Sequence, residues 1–221
     1  QTDLMAHQIQ LRRGRGHGVV AMDLPCDDPT ADFDSYADVV CDALGGTDDD
    51  VVVVGHSLGG LTIPLVAARR PVRHLVYLCA LVPDIGRSWA DQVADEPDMM
   101  CAGWNAALST DTQGRTAWVD PDLTRALLYA DCDETTTAAA MARIRPQAGL
   151  GSVPCSLAEM PSVRTTSVIC TDDRLLAFDW AKRTARDRLG ADVVELPGSH
   201  SPFYSRPRAL AEIMVNVAGA Q

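Results

Sequence analysis

Val51-Val52-Val53-Val54-Gly55-His56-Ser57-Leu58-Gly59-Gly60 is the stretch that decides the fold. Four β-branched residues after an Asp-rich turn predict a buried strand at 51–54, and the apolar residues that follow predict a helix over 58–69. Between them stands Gly-x-Ser-x-Gly. A serine at so sharp a strand-to-helix turn needs glycine on both sides, because larger side chains would collide there; the turn then lifts the hydroxyl above the sheet edge. The helix start also aims a free amide and the positive end of its dipole at the same point, which makes the Leu58 amide a candidate oxyanion donor. The competing readings are a bystander serine and a phosphate-binding loop, but the stretch has neither a GK[ST] ending nor the G-x-G-x-x-G spacing.

Working outward, strand-like runs at 19–22, 74–82, 165–170 and 192–196 alternate with predicted helices at 31–44, 177–189 and 208–217. Such alternation predicts an α/β fold with a mostly parallel, doubly wound sheet. Residues 84–161 differ, being rich in Ala, Thr, Asp and Met at helical spacing and offering no convincing strand. They predict a helical cap inserted after the strand at 74–82, inside a single domain spanning residues 1–221.

The chain has 19 basic and 30 acidic residues and a formal charge of -11, which argues against nucleic acid or an anionic membrane as partner. No stretch is long and apolar enough for a membrane span, and the N-terminus lacks the apolar core of a signal peptide. The cysteines (Cys26, Cys41, Cys79, Cys101, Cys132, Cys155, Cys170) are odd in number and lack CxxC or Cys/His spacing. That pattern predicts reduced, packing thiols in a cytoplasmic protein and no metal site.

A serine hydroxyl is a poor nucleophile until a base takes its proton. His200 is the best-placed histidine, in the loop Pro197-Gly198-Ser199-His200-Ser201-Pro202 that follows the strand at 192–196. His7, His17 and His74 sit in or beside element starts, and His56, preceding the serine in the turn, should point away from the hydroxyl. For the acid that orients the imidazole, Asp173 is the choice, deep in the loop after the strand at 165–170. Asp172 beside it and Asp84 after the strand at 74–82 stay open as alternatives.

With those residues identified, the chain resembles the α/β-hydrolase superfamily, and within it the group of plant methylesterases, hydroxynitrile lyases and related bacterial esterases. The matching pieces are Met22-Asp23-Leu24-Pro25, Gly55 to Gly60, Tyr77 to Pro83, Thr171-Asp172-Asp173-Arg174 and Leu196 to Pro202, so the resemblance covers most of the chain. Its members carry the order serine, acid, histidine along the chain. They also begin with a strand and a His-Gly loop whose amide completes the oxyanion hole, followed by a helix. This chain opens inside what looks like that helix, at 3–13, so the resemblance implies that the preceding strand, and one donor, are missing.

The resemblance further implies that the cap walls the substrate pocket. Candidate wall residues are Trp104, Trp118, Leu128, Tyr129 and Met141, together with Phe203 beyond His200; each could instead serve only as core. With few basic groups in the cap, the expected substrate is a small, neutral, largely apolar carboxylic ester, and no cofactor is required. Two alternatives remain: lyase chemistry on a cyanohydrin, which usually recruits a lysine where this chain has only Lys182 in a distant helix, and a non-catalytic small-molecule receptor or signalling protein on the same scaffold.

Overall fold

A computed structural model of the protein describes residues 18–46 and 50–219. The helix expected at 3–13, with His7 and His17, lies outside them. The core is a four-stranded parallel sheet in the order β1 (Val52–His56), β2 (His74–Leu78), β5 (Arg164–Cys170) and β6 (Asp192–Leu196). Pairing runs Gly55 to Tyr77, Tyr77 to Ser167 and Ser167 to Val193, so the C-terminal ends of all four strands meet at one edge.

Alternation along each strand sends successive side chains to opposite faces. Val53, Leu75, Tyr77 and Ile169 join the core formed with α1 (Phe33–Ala43), α2 (Ile63–Arg69) and α6 (Phe178–Asp187). Val76, Leu78, Val168 and Cys170 face the other way, onto Leu210, Met214 and Val217 of α8 (Pro207–Gly219). The sheet is thus covered by helices on both faces, as the strand–helix alternation required. The cysteines are free thiols, with Cys79, Cys132 and Cys170 buried. No helix among the described residues is long and apolar enough to cross a membrane.

Several expectations are corrected. Among the described residues, 19–22 pair with no other strand; Val20 is exposed, and Met22 and Leu24 pack against the core. The expected helix 58–69 is split into a 3₁₀ turn (Ser57–Leu61) and α2, with Pro64 at the start of the latter, where its missing N–H costs nothing. The strand at 74–82 stops at Leu78, because Cys79 takes φ 44° and leaves the extended region.

Residues 84–161 carry α3 (Trp89–Asp95), α4 (Pro121–Leu128) and α5 (Glu134–Met141), capped by Ser88, Asp120 and Asp133. They also hold an unexpected antiparallel hairpin, β3 (Leu108–Thr110) and β4 (Thr116–Trp118), closed by a turn in which the Asp111 side chain accepts from the amides of Gln113 and Arg115 and Gly114 has φ 78°. The remaining elements are a short α7 (Pro202–Ser205) and 3₁₀ turns at Trp104–Ala107 and Leu150–Ser152.

Candidate active site

Ser57 follows β1 with φ 53°, a left-handed conformation that a non-glycine residue adopts only when its surroundings enforce it. The enforcement is visible in the glycines. A Cβ on Gly55 would lie 2.6 Å from the Gly59 carbonyl oxygen, and one on Gly60 would lie 2.1 Å from that of Leu81. The Leu81 amide donates to the Ser57 carbonyl at 3.0 Å, tying the turn to the chain beyond β2. Leu58 lies in the first turn of the 3₁₀ segment, whose leading amides have no partner within the helix.

His200 arrives on the loop after β6 and is 2% exposed. Its Nε2 is 3.0 Å from Ser57 Oγ, and its Nδ1 is 2.8 Å from Asp173 Oδ2. A carboxylate at Nδ1 can only accept, so Nδ1 carries the proton and Nε2 is left to accept from the serine hydroxyl. The other oxygen of Asp173 accepts from the amides of Leu175 at 2.8 Å and Leu176 at 3.1 Å, which fixes the carboxylate plane.

The two alternative acids stand elsewhere. Asp172 Oδ2 accepts from the Gly198 amide at 3.1 Å, and Asp84 pairs with Arg87 at 3.4 Å. Of the two neighbours beyond the strand, Asp172 spends a carboxylate oxygen on the Gly198 amide and Asp173 sets one against the imidazole.

His56 does point away from the hydroxyl, and its Nε2 donates to the His200 carbonyl at 2.8 Å. Burial, followed by the neighbouring His200, pushes the His56 imidazole down from 6.5 to about 3, so it stays neutral and keeps that donor role. Phe203 packs edge-on against His56, with ring centroids 4.9 Å apart.

The structure therefore brings together Ser57, Leu58, Asp173, His200 and, through His56, Phe203. The other expected wall residues, Trp104, Trp118, Leu128, Tyr129 and Met141, belong to a hydrophobic cluster drawn mainly from residues 84–161 and joined by Leu175 and Tyr204. There Trp104 meets Trp89 edge-on at 5.2 Å and Tyr129 meets Tyr204 at 5.6 Å. Trp118 lines a cavity of about 130 Å³ with Pro121, Met141 and Ile144, whose lining does not include Ser57 or His200. Lys182 pairs with Glu195 at 2.6 Å, on the rim of the sheet. Among the described residues, no group of three or more His, Cys, Asp or Glu side chains is arranged to hold a metal ion.

Two polar contacts on the His200 loop were not foreseen. The buried Ser199 hydroxyl donates to Asp131, and Asp172 holds Gly198. The partners of Ser199 and Gly198 lie 68 and 26 residues away, and their local sequence carries no mark of the contact.

A family model described as "Alpha/beta hydrolase family" matches residues 3–213. Among curated proteins, the chain is 23% identical to Methylesterase 7 of Arabidopsis thaliana over 92% of its own length and 86% of that protein's. It is 26% identical to the Pyrethroid hydrolase of Sphingobium wenxiniae, covering 96% of this chain and 81% of that one. Among solved structures, that of a pyrethroid hydrolase from Sphingobium faniae superposes with a TM-score of 0.84 at 23% identity, over 100% of this chain and 93% of its own, and shares the fold.

Proposed function

The chain belongs to the alpha/beta hydrolase family, and from that premise we propose that it is a carboxylic ester hydrolase that works through an acyl-enzyme on Ser57. The observation that carries the proposal is the continuous hydrogen-bond line from Ser57 Oγ through the His200 imidazole to Asp173. Relatives named as a methylesterase and a pyrethroid hydrolase support the same class of reaction.

In this mechanism Ser57 Oγ attacks the ester carbonyl carbon while its proton passes to His200 Nε2. The imidazolium that forms is stabilised by Asp173, and the charge developing on the carbonyl oxygen is met by the Leu58 amide. Collapse breaks the carbon–oxygen bond to the alcohol, which takes the proton from Nε2. Water, deprotonated by the same nitrogen, then releases the acid and restores the serine.

Residues 84–161 are the cap of this proposal, and Phe203 is the ring it assigns to the substrate's neighbourhood. Trp104, Trp118 and Tyr129 contribute to the wall through the cluster they build. A small, neutral, largely apolar ester suits a site whose nearby rings are uncharged, and the free thiols suit a cytoplasmic protein. Hydroxynitrile-lyase chemistry is disfavoured because it usually recruits a lysine, and the sole lysine of the sequence, Lys182, sits on α6 paired with Glu195.

Turnover of short-chain p-nitrophenyl esters tests the proposal. Wild type should hydrolyse them, Ser57→Ala and His200→Ala should not, and both variants should keep the wild-type fold by circular dichroism. Activity that survives in Ser57→Ala would exclude the assigned nucleophile, and a folded wild type with no turnover would favour the receptor alternative.

A further inference from the structure

The assignment of His200 as base leaves open what holds its loop in place. Resting on that assignment, we propose that Asp131 is a positioning residue: carried by the turn between α4 and α5, it anchors the loop that delivers His200, so that alignment of the base depends on docking of this turn.

Three contacts join the turn to the loop, and they straddle His200. One residue before it, the fully buried Ser199 hydroxyl donates to Asp131 Oδ1. Six residues after it, Arg206 Nη2 lies 3.4 Å from Asp131 Oδ2. Tyr129, two residues before Asp131, packs edge-on against Tyr204. The same carboxylate closes the space beside Gly198, where an added Cβ would meet Asp131 Oδ2 at 3.1 Å.

The carboxylate is suited to the task. Burial acts to raise its pKa, but hydrogen bonding from the Ser199 and Ser205 hydroxyls and the Ser199 amide, with a smaller pull from the Arg206 charge, outweighs burial and holds it below the usual carboxylate range, so it remains an acceptor at neutral pH. On the opposite flank Asp172 grips Gly198 twice, accepting from its amide at 3.1 Å and donating its own amide to its carbonyl at 3.0 Å. His56 holds the His200 carbonyl. Removing Asp131 frees one side of this clamp and leaves a buried hydroxyl without its acceptor, which favours rotation or drift of the adjacent imidazole. Because the groups that bear on Asp131 are Ser199, Ser205 and Arg206, all carried by the His200 loop and the short helix after it, it acts through the loop and not on the substrate.

The test is steady-state hydrolysis of p-nitrophenyl acetate by the full chain, with active sites counted by a fluorophosphonate. The variants are Asp131→Ala, Ser199→Ala, their double and Asp131→Asn. Each single alanine variant should lower kcat per titrated site about tenfold or more with KM within about twofold, since base alignment is lost and binding is not. The double should lose no more than the worse single, because both break one bond. Asp131→Asn, which keeps an oxygen for the hydroxyl, should recover much of the loss. Losses that multiply in the double, an effect confined to KM, or wild-type kcat in Asp131→Ala would each overturn the proposal. Should Asp131→Ala fail to fold, wild-type kcat in Ser199→Ala overturns it equally. Failure of the underlying assignment reads differently, as a wild type that neither turns over nor takes the label, and both proposals then fall.

Discussion

Substitution of Gly60 by alanine should damage both the fold and the chemistry, and the size of the damage follows from one contact. The new Cβ would sit 2.1 Å from the Leu81 carbonyl oxygen, about 1.2 Å closer than an ordinary carbon–oxygen contact of about 3.3 Å. Ala80 Cβ, at 2.9 Å, blocks retreat in another direction. Relief requires the segment after β2 to move away from the serine turn, which stretches the 3.0 Å bond from the Leu81 amide to the Ser57 carbonyl. Overpacking of this kind costs about 1–3 kcal/mol, and loss of the hydrogen bond adds about 1 kcal/mol. For a chain of this size, a total of about 2–4 kcal/mol lowers Tm by about 4–16 °C. A shift approaching 1 Å at the nucleophile should also lower kcat by about 100-fold. Gly59→Ala is the control for stability, because a Cβ there meets nothing within 4 Å; its unfolding free energy should stay within about 0.5 kcal/mol of wild type. Thermal melts followed by circular dichroism, with ester turnover on the same samples, read both effects. A Gly60→Ala protein that melts within about 2 °C of wild type and keeps its turnover would refute the idea that close backbone packing enforces the strained serine.

Asp173→Asn should lower kcat by about 10⁴-fold, because an amide at Nδ1 of His200 favours the wrong tautomer, whereas Asp172→Asn should cost less than about tenfold. Equal losses in p-nitrophenyl ester turnover would remove the distinction between the two carboxylates. His56 should make the protein acid-sensitive: its folded pKa, near 3, lies below its ordinary 6.5, so between those values the unfolded chain binds a proton that the folded one refuses. Stability therefore falls as pH drops through that window, by up to about 1.4 kcal/mol per pH unit, and is unaffected by this group above it. Urea titrations of His56→Gln between pH 6 and 4 should show a correspondingly flatter decline, and a decline parallel to wild type would contradict the assignment.

Local grammar made the centre of the fold legible. Four valines, a glycine-flanked serine and an apolar continuation form a strand–turn–helix whose meaning depends on neighbours in the chain. The runs at 165–170 and 192–196 were also legible: the first holds β-branched residues and is buried throughout, and the second places Val193, Val194 and Leu196 just before the His200 loop. Residues 19–22 carry the same propensity, but a strand exists only where another backbone pairs with it, and among the described residues none does. The hairpin of β3 and β4 was missed because three-residue strands give too short a period to detect. Its signal was the turn, where Asp111 and Gly114 stand between Thr110 and Thr116. Chain order suggested Ser57, Asp173 and His200, but the choice between Asp172 and Asp173 turned on the path of the turn after β5, which sets Asp173 against the imidazole and Asp172 against the Gly198 amide. The grip of Asp131 on Ser199 and of His56 on the His200 carbonyl had no local signature, because such contacts are set by packing between distant segments.

The account stands on Ser57 being a hydroxyl activated by His200. Peptide mass spectrometry after reaction of the full chain with a fluorophosphonate measures that property directly. One adduct per chain, on the peptide containing Ser57, with labelling slowed strongly in His200→Ala, is the predicted result. A folded wild-type chain that stays unmodified, or carries the adduct on another residue, would contradict it.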